Sequence, residues 1–359
     1  MEENRELTAR EIWRRKNSSA QDGDHGVYYG GRPPGKKGFN KPLAVTGIIL
    51  AALFVIGIIM ALVLPERSSS EYTRAAESIH EDHIGVLYIE GTISEDDSSY
   101  NHRYVLDSLE GMMSNSSNKG LMLYVNTPGG GVYESDEVYL KIREYQDVTG
   151  RPVYVYMGSQ ATSGGYYISA AADRITANRN CWTGSIGVTM GTLFDISGLL
   201  ERYGIKTETI TSGDNKSMGS MTEELTDEQR QIMQSMIDEA YDQFVSIVAE
   251  GRGLKEEYVR SISDGRIYTA GQAAELGLVD QVVLDLDEAM GEMMAEYDLE
   301  GCSVYDFRYE NDEGMLGGLI NSVERLAEAT SGSGDIRALT ELMEKNDELP
   351  LEYMCEIVK

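Results

Sequence analysis

The chain has 359 residues, of which 25% are charged and 41% hydrophobic, and its formal net charge at pH 7 is -29. This length allows one α/β domain of about 200 to 250 residues with additional segments, or two average domains. After residue 42 the chain carries 54 Asp/Glu against 22 Lys/Arg, and this acidic balance argues against nucleic acid as a partner because its phosphates would be repelled.

The N-terminal region predicts a membrane anchor. Residues 1–42 are basic by comparison and end in a Gly- and Pro-rich stretch, so we expect a flexible segment. Residues 43–64, LAVTGIILAALFVIGIIMALVL, contain no charge and as a helix would span about 33 Å of bilayer. The run is longer than the apolar part of a signal peptide and lacks a small-residue cleavage site, which favours one permanent transmembrane helix. Lys and Arg crowd its N-terminal side, so the positive-inside rule predicts a single-pass cell-membrane protein with a cytoplasmic N-terminus and an extracytoplasmic body.

The body of the chain has the pattern of an α/β domain. After a linker at residues 65–83, short apolar runs such as LMLYVN and VYVYMG alternate with helical patterns over residues 84–310. This alternation predicts βαβ units and a mostly parallel sheet. A long helix is predicted after Thr226, with an apolar residue every four positions up to Val248. Residues 311–359 are expected to form a short helix and a tail that either frays or folds back onto the body.

The cysteine pattern indicates neither a disulfide framework nor a metal site. Cys181, Cys302 and Cys355 are widely separated and form no CxxC pair or Cys/His cluster. We therefore expect no bound metal or cofactor, and cysteines that act as small buried hydrophobic residues.

Two glycine-rich turns follow neighbouring predicted strands. TPGGGV follows LMLYVN, and ATSGGYY follows VYVYMG. Because parallel strands end at one edge of the sheet, where α/β active sites form, we expect the two turns to meet. Ser163 would present its Oγ there, with the Gly164 N–H facing an oxyanion. The alternatives are a serine that only caps a helix and a glycine turn that only joins a strand to a helix.

A nucleophilic serine needs a base, and histidine is the first candidate. No histidine follows residue 102, and those outside the N-terminal segment are expected to be solvated loop residues. The four are His25, His80, His83 and His102.

Lys216 is the best-placed alternative base, because it lies in the loop TSGDNKS that directly follows a predicted strand. A lysine pKa of about 10.4 must fall by roughly 3 units for this role, which burial in an apolar pocket would supply. A nearby carboxylate would oppose that fall, so we predict that Asp214 points away. The hydroxyl of Ser185 in TGSIGV is a candidate to orient the amine.

Five motifs in this order, NTPGGGV, ATSGGYYISAAADRI, TGSIGV, GDNKSM and GRIYTAGQAAELGLVD, resemble the signal peptide peptidase A (protease IV) family. The resemblance covers residues 84–287 and implies a Clp protease/crotonase-like fold with repeated ββα units. It implies that Ser163 is the nucleophile, Lys216 the general base and Ser185 a hydrogen-bond partner of that lysine. It further implies that Gly130 and Gly164 supply the oxyanion N–H groups.

The resemblance is to the short, single-domain form of the family behind a membrane anchor. In that form several copies assemble into a ring, and the serine and lysine of one site come from neighbouring protomers. The chain departs from the family pattern at Thr127, where serine is common, and beside Lys216, where many relatives have a more apolar or aromatic neighbour.

The resulting expectation is a serine endopeptidase that hydrolyses short apolar peptides such as cleaved signal peptides. A further hypothesis is that the tail run LPLEYMCEI occupies the active-site groove, in which case removal of the residues after Ser331 should raise activity. The alternatives are a crotonase-type acyl-CoA enzyme on the same fold and a noncatalytic scaffold. The first does not need Ser163 and Lys216, and an extracytoplasmic domain would meet little CoA.

Overall fold

The computed structural model describes residues 69–311 and 352–354. The predicted cytoplasmic segment 1–42, the predicted transmembrane helix 43–64 and most of the predicted tail 311–359 therefore lie outside the described residues. Among those that are described, no helix is long and apolar enough to cross a membrane.

Strands and helices alternate along most of the described chain, so the fold is α/β as predicted. The strands are β1 (His83–Glu90), β2 (Asn118–Thr127), β3 (Gly129–Gly131), β4 (Val153–Thr162), β5 (Arg174–Asn178), β6 (Trp182–Gly184), β7 (Ile267–Thr269), β8 (Gln281–Val283), β9 (Ser303–Phe307) and β10 (Glu352–Met354). The helices are α1 (Ser69–Glu77), α2 (His102–Ser114), α3 (Val132–Thr149), α4 (Gly164–Ser169), α5 (Ser197–Arg202), α6 (Asp227–Arg252), α7 (Glu256–Ile262), α8 (Ala270–Glu275) and α9 (Leu286–Glu296).

One mostly parallel sheet organises these elements. Its main path runs β7-β6-β4-β2-β1-β9, and β5 and β8 branch from β4. The pairing of β6 with β7 is antiparallel and the other pairings in this sheet are parallel. Strand β4 pairs with two strands along its length: residues 154–157 pair with β5, and residues 160–162 pair with β6. The carboxyl ends of β2 and β4 lie side by side, which brings the two glycine-rich turns to one edge.

Helices cover both faces of the central strands, which explains why these strands are almost continuously apolar. On one face, residues such as Leu123 and Val155 pack into a large core with α2, α3, α4 and α6. On the other, Met122 and Tyr154 pack with Met293 of α9.

The long helix α6 begins after Thr226, as predicted. The Thr226 and Gln229 side chains form reciprocal hydrogen bonds with each other's backbone N–H, and the helix ends at Gly253 in a left-handed conformation. The predicted apolar stripe is buried at Ala240 but not at Met236, which is 44% exposed. The prediction was wrong at Met236, because the buried residues of α6 that join the large core lie in its second half, between Phe244 and Ala249.

Candidate active site

Ser163 lies in a strained turn between β4 and α4. Its backbone has φ 54° and ψ -115°, a conformation that residues other than glycine rarely adopt. The turn is held by two backbone hydrogen bonds, from the Ser163 N–H to the Gly184 carbonyl at 2.8 Å and from the Tyr167 N–H to the Ser163 carbonyl at 2.9 Å. Strain of about 1 to 3 kcal/mol is typical of such positions and is found most often at functional sites.

The Ser163 hydroxyl is buried and makes no hydrogen bond to the described residues. Its side chain makes no capping hydrogen bond to α4, so the simple helix-cap alternative does not apply. Within the part of the chain that the structure describes, Ser163 Oγ has no hydrogen-bond partner. Buried polar atoms are rarely left unpaired, so this hydroxyl is free for a reacting group or for a partner outside these residues.

Strand β3 is fixed by the loop that follows β1. The Ile93 N–H donates to the Gly129 carbonyl at 2.9 Å, and the Ile93 carbonyl accepts from the Gly131 N–H at 2.8 Å. Thr127 Oγ1 accepts from the Gly129 N–H at 3.0 Å and donates to the Gly91 carbonyl. The threonine that replaces the family's usual serine thus keeps a hydroxyl at this turn.

The two glycine turns meet beside Ser163. A Cβ added to Gly164 would lie 3.2 Å from the Gly130 nitrogen, and one added to Gly129 would lie 2.8 Å from the Gly164 nitrogen and 3.0 Å from Ser163 Cβ. Gly164 is the first residue of α4, where backbone N–H groups lack intrahelical acceptors. The predicted donors, Gly130 and Gly164, therefore come together next to the serine, which is the arrangement that stabilises an oxyanion.

Ser185 also lies at this edge, but Lys216 does not contact it. Ser185 directly follows Gly184, whose carbonyl accepts a hydrogen bond from the Ser163 N–H. The Ser185 side chain is buried, and its backbone has a φ of 51°. Lys216 lies in an exposed turn, where its N–H donates to the Gly213 carbonyl at 3.1 Å. Among the described residues, no hydrogen bond or ion pair joins the Lys216 side chain to Ser163, Ser185 or Asp214. One chain by itself does not bring the predicted base to the predicted nucleophile.

The described histidines do not take the place of Lys216 as a base beside Ser163. His83 is fully buried and lies at the amino end of β1, opposite the edge that holds Ser163. His102 is 4% exposed, with its Nε2 2.7 Å from Glu137 Oε2 and its Nδ1 3.1 Å from the Tyr100 hydroxyl. The expectation of solvated loop residues was wrong for these two, because His83 belongs to a strand inside the sheet and His102 to a helix that packs against it. His80 is exposed as expected.

A strand from the end of the chain occupies the cleft beside Ser163. Strand β10 pairs antiparallel with β3, with Tyr353 opposite Gly130 and Met354 opposite Gly129. On its other side, Glu352 exchanges two backbone hydrogen bonds with Thr189, at 2.9 and 3.0 Å. A Cβ on Gly129 would lie 2.0 Å from the Tyr353 carbonyl oxygen, so the chains approach each other as closely as glycine permits. The cleft thus binds an extended peptide by adding a strand to β3.

An open cleft of about 750 Å³ continues from this strand. Its lining includes Ser185, Thr189, Tyr241, Arg266 and Met354, so it connects the predicted site to the first half of α6. No group of three or more His, Cys, Asp or Glu side chains with the spacing of a metal site occurs in residues 69–311 or 352–354. Burial raises the pKa of the Cys181 thiol to about 12, which makes it a poor nucleophile.

Sequence reasoning did not identify two parts of this site. The contact of Ile93 with β3 has no local signal, because the residue lies in an irregular loop. For the tail, the run LPLEYMCEI led to the hypothesis that it occupies the active-site groove, but not to the prediction that Tyr353 is the inserted side chain.

Comparisons with known proteins agree with the motifs. Residues 146–300 match the model of peptidase family S49. A putative signal peptide peptidase SppA of Enterococcus faecium is 38% identical over 213 residues, which are 59% of this chain and 60% of that protein. A putative protease of Methanocaldococcus jannaschii is 35% identical over 215 residues, which are 60% of this chain and 68% of that protein. Protease 4 of Haemophilus influenzae is 32% identical over 203 residues, 55% of this chain and 32% of that protein.

Among solved structures, a ClpP1 mutant from Listeria monocytogenes is similar over 56% of this chain and 92% of its own length, with a TM-score of 0.37 and 17% identity. The resemblance predicted from the five motifs is confirmed by the family model and by the relatives of 35% and 38% identity. The chain therefore belongs to the S49 family of peptidases, the family of the signal peptide peptidase A proteins.

Proposed function

We propose that this protein is a membrane-anchored serine endopeptidase in which Ser163 and Lys216 form a catalytic dyad. The observation that carries the proposal is the position of Ser163: a buried, unpartnered hydroxyl in a strained turn, next to Gly130 and Gly164 and to a bound strand of peptide. The finer assignment of the fold to the Clp protease/crotonase type, with repeated ββα units, is part of the same proposal.

The reaction follows from this arrangement. Ser163 Oγ attacks a substrate carbonyl carbon while its proton passes to the neutral Lys216 amine. The Gly130 and Gly164 N–H groups stabilise the oxyanion, and each such donor typically contributes about 3 kcal/mol to the lowering of the barrier. The ammonium then protonates the leaving amine, and water releases the acyl group from Ser163 by the reverse sequence of proton transfers.

Lys216 is supplied by a neighbouring copy of the chain. Its turn is exposed, and among the described residues Ser163 Oγ has no hydrogen-bond partner. The segment that carries Lys216 also exposes large apolar side chains, which favours burial of this segment against another protomer. These side chains are Phe194, Leu199, Tyr203, Ile205 and Ile210.

The proposed substrates are short apolar peptides, such as signal peptides left in the membrane after cleavage. A transmembrane helix at residues 43–64 would hold the site close to the bilayer surface, outside the cytoplasm. The name of the Enterococcus faecium relative supports this substrate class.

A mixing experiment tests the shared dyad. Ser163→Ala and Lys216→Ala should each abolish hydrolysis of a fluorogenic apolar peptide by the full chain. Co-assembly of the two variants in equal amounts should restore about one quarter of the wild-type activity, because that fraction of junctions pairs an intact serine with an intact lysine. A dyad within one chain would restore none.

Lys206→Ala is the matched control, since Lys206 is another exposed lysine of the same segment. This variant should keep wild-type activity. Near-normal activity in Lys216→Ala, together with its loss on replacement of His80, His83 or His102, would contradict the proposed base.

A further inference from the structure

The loop between β1 and α2, residues 91–101, sets the position of strand β3. Ile93 in this loop pairs with β3 through two backbone hydrogen bonds, one to the Gly129 carbonyl and one from the Gly131 N–H. Between these bonds the Ile93 carbonyl lies so close to Gly130 that an added Cβ would come within 1.9 Å of its oxygen. A shift of Ile93 would therefore move the Gly130 N–H, one of the two proposed oxyanion donors.

This loop is closed on itself and leads into a buried histidine. Asp97 and Tyr100 exchange backbone hydrogen bonds at 2.8 and 3.4 Å, and the His102 N–H donates to the Glu95 carbonyl at 3.2 Å. Tyr100 and His102 are almost fully buried, whereas Glu95 is exposed. The position of the whole loop thus depends on what anchors Tyr100 and His102.

The His102 side chain joins the end of the loop to helix α3. Its Nε2 lies 2.7 Å from Glu137 Oε2, and its Nδ1 lies 3.1 Å from the Tyr100 hydroxyl. Because a carboxylate can only accept, we assign the ring proton to Nε2, which leaves Nδ1 to accept from the tyrosine. Burial, and next the charges of neighbouring glutamates, raise the pKa of Tyr100, so its phenol keeps the proton that it donates. A neutral imidazole therefore satisfies both partners at once.

Helix α3 in turn contacts the second proposed oxyanion donor. The helix begins directly after β3, and its first turns carry Ser135 and Glu137. Ser135 is fully buried, and a Cβ added to Gly164 would lie 2.5 Å from Ser135 Oγ, so α3 packs directly against the start of α4. The loop thus positions Gly130, the helix positions Gly164, and His102 bonds the loop to the helix.

We propose that His102 is a positioning residue, which fixes the Gly130 and Gly164 N–H groups relative to each other by holding the loop 91–101 against Glu137 of α3. It acts on the reaction only through these neighbours, because Ser163 Oγ has no hydrogen-bond partner among the described residues. The inference rests on the proposed peptidase function and adds to it a residue that lies outside the cleft.

The expected effect is on the rate of the chemical step. Removal of one oxyanion donor typically lowers kcat by about a hundredfold to a thousandfold, and a misplacement of about 1 Å can cost about a hundredfold. His102→Leu fills much of the same space without polar atoms, so kcat for a fluorogenic apolar peptide should fall by about tenfold to a hundredfold. KM should change by less than about threefold, because an oxyanion donor acts mainly in the transition state.

Matched variants separate positioning from stability. His102→Gln offers one donor and one acceptor to the same partners and should keep kcat within about threefold of wild type. Leu109→Ala, a fully buried position of α2, should lower the unfolding temperature but not kcat. Glu137→Ala should act like His102→Leu, whereas Asp147→Ala, which removes an exposed carboxylate of α3, should have no effect. Wild-type kcat in His102→Leu, or an equal loss of kcat in Leu109→Ala, would overturn the proposal.

Hydrogen exchange tests the same positioning without catalysis. In the full chain in detergent micelles, the amides of residues 129–131 should exchange at least about tenfold faster in His102→Leu than in Leu109→Ala, because the pairing of Ile93 with β3 loosens. Equal exchange in these two variants would overturn the proposal. If His102→Leu does not fold, Glu137→Ala carries the same comparison, since the Glu137 side chain is 40% exposed.

The two readouts also separate this proposal from the peptidase itself. Faster exchange in His102→Leu, in a protein whose wild type shows no Ser163-dependent hydrolysis, would refute the peptidase but keep the positioning role. Ser163-dependent hydrolysis with the same kcat and the same exchange in His102→Leu and Leu109→Ala would refute the positioning role alone.

Discussion

Replacement of Tyr353 by alanine should increase hydrolysis of added peptides by the intact chain. Strand β10 pairs with the same β3 edge that a substrate strand would use, so tail and substrate compete for one cleft. Tyr353 is the fully buried side chain of that strand and holds it in place.

The size of the effect can be worked out from its contacts. Removal of a buried aromatic side chain costs about 2 to 3 kcal/mol of burial, and loss of its hydrogen bond to Ala240 about 1 kcal/mol. The backbone pairing of β10 remains, and the freed tail regains conformational entropy. A net loss of about 3 kcal/mol lowers the ratio of closed to open cleft by about a hundredfold. At substrate concentrations below KM the rate should therefore rise between about tenfold and a hundredfold, if the closed state dominates in the unaltered chain.

Initial rates of hydrolysis of a fluorogenic apolar peptide measure the increase caused by Tyr353→Ala. Tyr353→Phe is the matched control, because it keeps the aromatic packing and loses only the hydroxyl, so its rate should rise only about fivefold. Removal of all residues after Ser331 should act in the same direction as Tyr353→Ala. A Tyr353→Ala chain that unfolds at the wild-type temperature and is no faster than wild type would refute the competition between tail and substrate.

Three further changes test the framework around the site. Gly130→Ala should abolish activity and lower the unfolding temperature, because its Cβ would lie 1.9 Å from the Ile93 carbonyl oxygen; an active variant would place the oxyanion donors elsewhere. Asp280→Ala should lower the free energy of unfolding by about 2 to 3 kcal/mol in urea titrations at pH 7, because it leaves the Arg252 guanidinium, 7% exposed, without its carboxylate. Burial would raise the pKa of Asp280, but hydrogen bonds, first of all from Arg252, outweigh it and lower that pKa. The stabilisation is therefore present above about pH 4 and is lost as the pH falls through the lowered pKa, so the difference between variant and wild type should shrink in acid; a constant difference would contradict this. Thr226→Ala should cost about 1 kcal/mol in the same titrations through loss of its cap on α6, and no change would indicate that the cap is unimportant.

Much of the α/β order was predictable because its signals are local. The apolar runs that became β2 and β4 and the glycine turns after them contain the information for a strand, a sharp turn and a following helix. The meeting of Gly130 with Gly164 followed from one general rule, that parallel strands end at the same edge.

The burial of individual polar residues was not predictable in the same way. His83 and His102 have polar neighbours in the chain, yet they are buried because β1 lies inside the sheet and α2 packs against it. Met236 fits the periodicity of a buried stripe, yet it is exposed because the buried residues of α6 that join the large core lie between Phe244 and Ala249. Periodicity specifies the face of a helix but not which neighbour covers it.

The sequence by itself determined the family, through five motifs in order, and the place of Ser163 at the end of a strand, because backbone preferences and turn chemistry act between adjacent residues. Only the tertiary structure decided that Tyr353 lies against Gly130 and that Lys216 stands apart from Ser163 in its own chain. Both facts depend on residues far apart in the chain, whose relative positions are set by the packing of the sheet and its helices and not by the preferences of neighbouring residues.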